Sequence, residues 1–215
     1  MTDAGGQSPR ERYRAQVHAE IKRHAWEQIA DAGVSALSLN AIAKQMGMSG
    51  PALYRYFAGR DELITALIRD AYRSLADTVG AAFDSGADLA GLAQVIRDWA
   101  RSDPQRYFLI YGTPVPGYHA PDDITAISFE VMTVLLEASG VPSADRPATP
   151  FDAHLETHRA WADDHPAAAT TLHRALSFWT RLHGVLSLEL AGHFAGMEFD
   201  PDLLIADELN DLLTR

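Results

Sequence analysis

Residues 38–57 read SLNAIAKQMGMSGPALYRYF. Leu39, Ile42, Ala43 and Met46 recur at helical spacing, residues 47–49 break the pattern, and Leu53 and Phe57 resume it. Ser38 has the short hydroxyl side chain that caps a helix, and Gly47 stops that helix near Met46. Ser49 or Gly50 starts a second helix, with Pro51 in its first turn, where a missing N–H costs nothing. Ala58-Gly59 closes it. Helix, tight turn and short helix at this spacing fit a helix-turn-helix, whose second helix enters the major groove of DNA.

Working outward, the rest of the chain also reads at helical period. Val17, Ile21, Ala25 and Ile29 step by four along a helix from Pro9 to Ala32, which Gly33 ends. Asp61 and Glu62 open a long helix to about Phe83, their charges complementing its N-terminal dipole. Further helices are expected at 87–101, 104–111, 122–139, 150–164, 168–195 and 201–213. No alternating strand and no internal repeat appears, so the fold class is all-α. Residues 1–8 are small and polar, and disorder is expected there. TPVPGYHAP (113–121) reads as an ordered surface loop and PSADRPATP (142–150) as a flexible linker.

Composition narrows the function. The chain of 215 residues has no cysteine, which removes disulfides, thiolate metal sites and a catalytic thiol. The N-terminus lacks the apolar core of a secretory signal, and no run of about 18 apolar residues is present. A soluble, cytoplasmic protein without membrane partners is expected. Charge is unevenly placed. Residues 1–60 hold eight basic and five acidic residues, net +3; the remainder holds 10 basic and 24 acidic residues, net −14. A polyanion would be repelled by that remainder, so nucleic acid must meet the N-terminal quarter.

With Leu39, Ile42, Ala43, Met46, Leu53 and Phe57 turned inward, the second helix presents Ser49, Gly50, Ala52, Tyr54, Arg55 and Tyr56. Hydroxyls and a guanidinium suit phosphate oxygens and base edges, and small residues allow close approach to the groove. Lys44 joins this candidate DNA-facing set. Arg10, Arg12 and Arg14 crowd the start of the first helix, against its dipole, at about 0.3–1 kcal/mol each. A phosphate partner explains that placement, and Arg60 follows the same logic. A frayed, solvated helix end is the alternative.

The stretch 37–63, LSLNAIAKQMGMSGPALYRYFAGRDEL, resembles the DNA-binding region of the TetR family of repressors, over roughly residues 10–70. The match rests on the hydroxyl before the second helix, I-A, the G-x-S turn, L-Y-x-x-F and a basic residue before D-E-L. The resemblance implies phosphate contacts from Ser38, Tyr54 and Tyr56, and from Arg60 where the family usually has lysine. It places base reading at Asn40, Gly50, Ala52 and Arg55, resting chiefly on Asn40 and Arg55 because the other two are small. It also implies a homodimer on a palindromic operator and a small-molecule effector in a C-terminal helical body. The domains are then 1–60, an arm and three-helix DNA-binding domain, and 61–215, a ligand-binding and dimerisation domain. Trp179…His183-Gly184, after Asp164-His165-Pro166, resembles a C-terminal subtype of that family.

In the body, the helix 169–194 shows two apolar faces: Leu172, Leu176, Trp179, Leu186 and Leu190 on one, Ala175, Phe178, Leu182 and Val185 on the other. With Leu203, Leu204, Leu209 and Leu212 it would form a four-helix interface with a second copy, a purely internal pair being the alternative. Candidate effector-site residues are Trp99, Tyr107, Phe108, Tyr111, Phe129, Trp179 and His183. Tyr118 and His119 either close an entrance or decorate the surface. Glu189 either meets a polar ligand group or sits in a salt bridge.

Two other function classes compete. His154 and His158 in HLETH sit at i and i+4, as metal ligands do, but Leu155 holds the place where the zinc-protease signature needs glutamate. The run GMSGP (47–51) approaches a nucleophile elbow, yet Pro51 replaces its last glycine and helices flank it. Neither supports an enzyme, and no metal or cofactor is expected. A DNA-binding factor without a small-molecule effector remains the other alternative.

Overall fold

The computed structural model describes residues 8–112, 118–140 and 147–214. They form ten α-helices: α1 (Pro9–Ala32), α2 (Leu39–Gln45), α3 (Gly50–Leu53), α4 (Arg60–Asp84), α5 (Leu89–Ser102), α6 (Pro104–Tyr111), α7 (Asp122–Ala138), α8 (Pro150–Leu155), α9 (Ala169–Leu190) and α10 (Pro201–Thr214). Single 3-10 turns lie at Val34–Ala36 and Ala160–Ala162, and no strand occurs among the described residues. The all-α expectation holds. Of the expected disordered start, residues 1–7 lie outside the described residues, as do 113–117 and 141–146 of the two proline-rich loops. Ser8 itself is ordered. Its hydroxyl accepts from Glu11 N–H at 3.2 Å while its N–H donates to the Glu11 carboxylate at 2.7 Å, a capping box that starts α1.

The described residues divide into two compact units, 8–68 with 118–119, and 69–112 with 120–140 and 147–214. In the first, the α1 stripe Val17, Ile21, Ala25 and Ile29 is buried throughout, along with Leu37, Leu39, Ile42, Ala43, Leu53, Phe57, Leu63 and Ile64. Gly47 ends α2 at φ 65°, and the Met48 and Gly47 N–H groups close back onto the carbonyls of Ala43 (2.8 Å) and Lys44 (3.2 Å). That paired closure needs a left-handed residue, which glycine supplies without strain. The second helix is shorter than expected. Only Gly50–Leu53 is α-helical, and the chain then tightens, Tyr56 N–H donating to the Leu53 carbonyl at 2.8 Å. So short a helix has no stability of its own, and the burial of Leu53 and Phe57 holds it.

The second unit has a main core from α4, α5, α6, α7, α9 and α10, including Leu75, Leu92, Ile96, Tyr107, Leu135, Phe178, Leu182 and Leu186. A smaller core gathers Leu136, Leu155, Ala162, Leu172 and Ala175. Three expectations change here. The helix at 150 stops at Leu155 rather than 164, and the chain goes on through the 3-10 turn Ala160–Ala162 to Asp163 and Asp164, which take left-handed φ of 50° and 51°. The Arg159 guanidinium secures that loop by donating to the carbonyls of His165 and Ala167. Helix α9 stops at Leu190, short of 195, where Gly192 turns at φ 77°. Its inward face is also a single stripe, since Leu172 and Leu186 are buried with Ala175, Phe178 and Leu182. Steps of three and four residues keep these on one line, while Trp179, Val185 and Leu190 flank it half-buried.

Glu189 belongs to a salt bridge. Arg97 on α5, 2% exposed, donates to both Glu189 carboxylate oxygens at 3.0 and 2.8 Å and lies 2.5 Å from the Asp202 carboxylate on α10. These contacts hold Arg97 firmly protonated and pull the Asp202 carboxyl below its ordinary range. Removing the buried partner should hurt more than removing the solvated one. Glu189→Ala is expected to cost on the order of 3 kcal/mol in chemical denaturation, and Asp202→Ala far less; equal losses would contradict this picture.

Candidate nucleic-acid interface and candidate effector site

The local geometry of the first unit turns one set of polar groups outward. Ser38 caps α2, its hydroxyl accepting from Ala41 N–H at 3.3 Å, which leaves the hydroxyl proton for another acceptor. Its own N–H donates to the Gln28 side chain at 2.9 Å, tying the cap to α1. Asn40, Lys44, Ser49 and Arg55 are exposed, Tyr54 is 46% exposed, and Gly50, Ala52 and Tyr56 are half-buried. A Cβ on Gly50 would lie 3.5 Å from Asn40 Oδ1, so two candidate base-reading positions stand side by side.

Two features were not legible beforehand. Arg60 is partly used by the fold, its guanidinium donating to the Val34 carbonyl at 2.7 Å and lying 4.0 Å from the Asp61 carboxylate. His18 on α1 packs edge-on to Tyr56 (5.3 Å) and Phe57 (4.9 Å), backing the turn after α3. Burial, then the charges of Arg14 and Lys22, lower the pKa of His18, opposed by Glu62. No sequence spacing signals that packing, because α1 and the turn meet only in the folded unit.

Arg10, Tyr13, Arg14, Arg55 and Tyr56 line a cleft of about 290 Å³. Among the described residues, Arg10, Arg12, Arg14, Arg55 and Lys44 have no ion-pair partner. In the second unit several arginines meet carboxylates, Arg69 with Asp123 (2.6 Å), Arg73 with Glu130 (2.6 Å), Arg106 with Asp103 (2.9 Å), and Arg181 with Glu208 and Asp211 (3.2 Å each), while Arg159 bonds backbone carbonyls; in the first unit Arg23 pairs with Glu27 (2.5 Å). An acidic chain that leaves Arg10, Arg12, Arg14, Arg55 and Lys44 uncompensated on one unit offers a polyanion its contact there.

In the second unit, the structure brings together five of the seven candidate effector-site residues. His183 on α9 stacks on Tyr107 (5.6 Å between ring centroids) and lies 4.3 Å from Tyr111 and 3.9 Å from Trp179. Phe108 meets Tyr107 at 5.5 Å, and Tyr72 meets Tyr111 at 6.0 Å. The Tyr107 hydroxyl sits 3.0 Å from His183 Nδ1 and 2.9 Å from Ser187 Oγ. Burial lowers the His183 pKa to about 4 and raises those of Tyr107 and Tyr111, so all three are neutral near pH 7. Trp99 serves the core instead, its indole N–H donating to Ser74 Oγ at 3.1 Å. Phe129 on α7 is half-buried and is not packed on that core. Ser187 and Tyr72 escaped the sequence reading; Ser187, one turn beyond His183 on the same face, was the available signal. Tyr118 is half-buried and His119 exposed, both in the first unit.

The competing metal geometry does not form. His158 lies past the end of α8, the two imidazoles stack face to face at 3.8 Å, 13° from parallel, and His158 Nδ1 lies 2.9 Å from the His154 carbonyl. Among the described residues no group of three or more His, Cys, Asp and Glu side chains is arranged to hold a metal. No helix among them is long and apolar enough to cross a membrane.

Comparison with known proteins agrees with both units. Residues 21–67 match the bacterial regulatory proteins of the tetR family, and residues 89–212 match the tetracyclin repressor-like C-terminal domain. The chain is 36% identical over 207 residues to the HTH-type transcriptional regulator Rv1816 of Mycobacterium tuberculosis (strain ATCC 25618 / H37Rv), covering 89% of this chain and 88% of that protein. The crystal structure of SCO4313, assigned as a regulatory protein, shares 70% identity at a TM-score of 0.89, covering 97% of this chain and 100% of that one. A tetR-family protein from Rhodococcus RHA1, 16% identical with a TM-score of 0.56, covers 93% of this chain and 96% of its own and shares the fold. The chain therefore belongs to the TetR family of DNA-binding transcriptional regulators, which are not enzymes.

Proposed function

We propose that this regulator is a cytoplasmic repressor that binds a palindromic operator as a homodimer and leaves it when a small molecule enters the C-terminal body. The observation that carries the DNA half is the set of uncompensated cations, Arg10, Arg12, Arg14, Lys44 and Arg55, on the unit that holds the helix-turn-helix. In this reading residues 1–60 bind DNA: Ser38, Tyr54, Tyr56 and Arg60 hold phosphates, while Asn40, Gly50, Ala52 and Arg55 face bases, flanked by Ser49 and Lys44. Residues 61–215 hold the effector and pair the protomers, in the manner of the Trp/His-Gly subtype. Exposed apolar side chains on the last helices, Leu188 (46%) and Leu203 (70%), support a second copy covering them. Two protomers would then place their reading helices about 34 Å apart. The effector acts by binding better to a conformation that does not fit the operator, a population shift.

Fluorescence anisotropy with DNA from upstream of the gene, at several salt concentrations, tests the reading. Specific binding that steepens as salt falls supports it, and salt-independent or absent binding, with a genomic selection also empty, overturns it. Arg14→Ala is expected to lower the salt slope by about 1 without changing discrimination, and Arg55→Ala to bring operator and random DNA closer in affinity by about 1–3 kcal/mol. Tyr54→Ala should weaken operator binding at an unchanged melting temperature, whereas Arg60→Ala should also lower that temperature through loss of the Val34 contact. Leu203→Glu is expected to shift sedimentation velocity toward monomer; an unchanged distribution would remove α10 from the interface.

A further inference from the structure

A cleft of about 360 Å³ lies between α5 and α10, and none of the ring-cluster side chains around His183 lines it. Ala90 and Arg97 of α5 border it, as do Asp202, Ile205, Ala206 and Leu209 of α10. Each stretch runs about 10 Å along its helix. Because Arg97 meets Asp202, the charged pair stands at one end of the cleft, with Ala90 and Leu209 at the other. Ile205 is buried and Leu209 half-buried on the core, giving the cleft an apolar floor. The small, exposed Ala90 and Ala206 leave room above that floor. The volume falls at the lower end of the range for small-molecule sites.

The protein does not use up the charged end. A guanidinium presents two forks to carboxylates, Nε with Nη2 and Nη1 with Nη2. Glu189 fills the first, accepting from Nε at 3.0 Å and from Nη2 at 2.8 Å. Asp202 lies 2.5 Å from Nη2, and no hydrogen bond reaches Nη1 among the described residues. The second fork is therefore half occupied, and by a carboxylate whose side chain is 63% exposed. So solvated a partner is held weakly and can turn to water at small cost. Charge is balanced without a ligand, because Arg101 also lies 3.9 Å from Glu189. With Asp202 turned away, two arginines would face one carboxylate.

We infer that the α5/α10 cleft is a small-molecule site in its own right, which takes a compact carboxylate with an apolar body. The ligand carboxylate replaces Asp202 on Arg97 and spans Nη1 and Nη2, and its body lies along Ile205, Ala206 and Leu209. Asp202 is then a competitor carried by the chain itself, holding the fork when no ligand is bound. An ammonium ligand would be repelled by Arg97 and Arg101, and a neutral amide would leave their excess positive charge uncancelled. This inference does not rest on the ring cluster being the effector site.

Isothermal titration of the full chain at pH 7.5 with cyclohexylacetate, cyclohexylacetamide and cyclohexylethylammonium tests the charge class. The three share a saturated body, which has no aromatic face to stack on the ring cluster, and differ in the head group. The carboxylate is expected to bind about tenfold tighter than either of the others, through one bidentate charge-assisted pair. Asp202→Asn should tighten the carboxylate by about threefold, the worth of a solvated ion pair, and leave the amide unchanged. Ala206→Trp, which fills the cleft from an exposed position, should abolish carboxylate binding. Equal or tighter binding of the amide or the ammonium overturns the charge class. A carboxylate affinity that Asp202→Asn leaves unchanged or lowers overturns the exchange on Arg97. Binding that survives Ala206→Trp overturns the site; should that variant fail to fold, Ala90→Trp blocks the cleft from its other wall and decides the same question. If none of the three binds, the inference fails while the DNA-binding reading stands untouched.

Discussion

A four-residue helix cannot hold itself together in water, so α3 exists only because Leu53 and Phe57 are buried within the first unit. That constraint decides what the unit displays. Once those two side chains point inward, Tyr54 and Arg55 must point outward, and Tyr56 is caught between, against His18. Gly47 fixes the turn by closing two backbone hydrogen bonds, and the Ser38 cap anchors α2 to α1 through Gln28. Every candidate DNA contact is therefore positioned by packing on its inner side. The small size of Gly50 and Ala52 then keeps the outer side low enough to approach a groove.

Charge is organised on a different principle. The chain carries net charge −11, so an arginine finds a carboxylate easily, and in the second unit Arg69, Arg73, Arg97, Arg106 and Arg181 do. Among the described residues, the arginines near the start of α1 and after α3 do not. Their mutual repulsion is relieved only by solvent or by an anion, and a chain acidic overall can approach DNA only through such an exception. Arg60 lies at the margin between these regimes, since it combines a structural hydrogen bond with a position on the DNA-facing unit.

The second unit carries two buried polar systems with opposite logic. Arg97 is buried but fully compensated, which staples α5, α9 and α10 together at one place. His183 is buried and incompletely compensated, held neutral and oriented by Tyr107 and Ser187. The first arrangement is complete without a ligand. The second has a hydrogen-bonding capacity that the described protein atoms do not use.

The all-helical class, the helix boundaries of α1 and α4, the turn at residues 47–49 and the N-terminal concentration of positive charge follow from the sequence alone. Each depends on local causes: apolar side chains at steps of three and four, a capping hydroxyl, a glycine able to take positive φ, and the order of charges along the chain. The early end of α8, the single inward stripe of α9, the partnership of Arg97 with Glu189 and Asp202, and the packing of His18 were decided by the tertiary structure. So was the sorting of the aromatic candidates, which gathered Tyr107, Phe108, Tyr111, Trp179 and His183, put Trp99 into the core and left Phe129 aside. The partners in those cases lie up to 105 residues apart, as Arg97 and Asp202 do. A single sequence records what each side chain can do, but only folding chooses which of them meet.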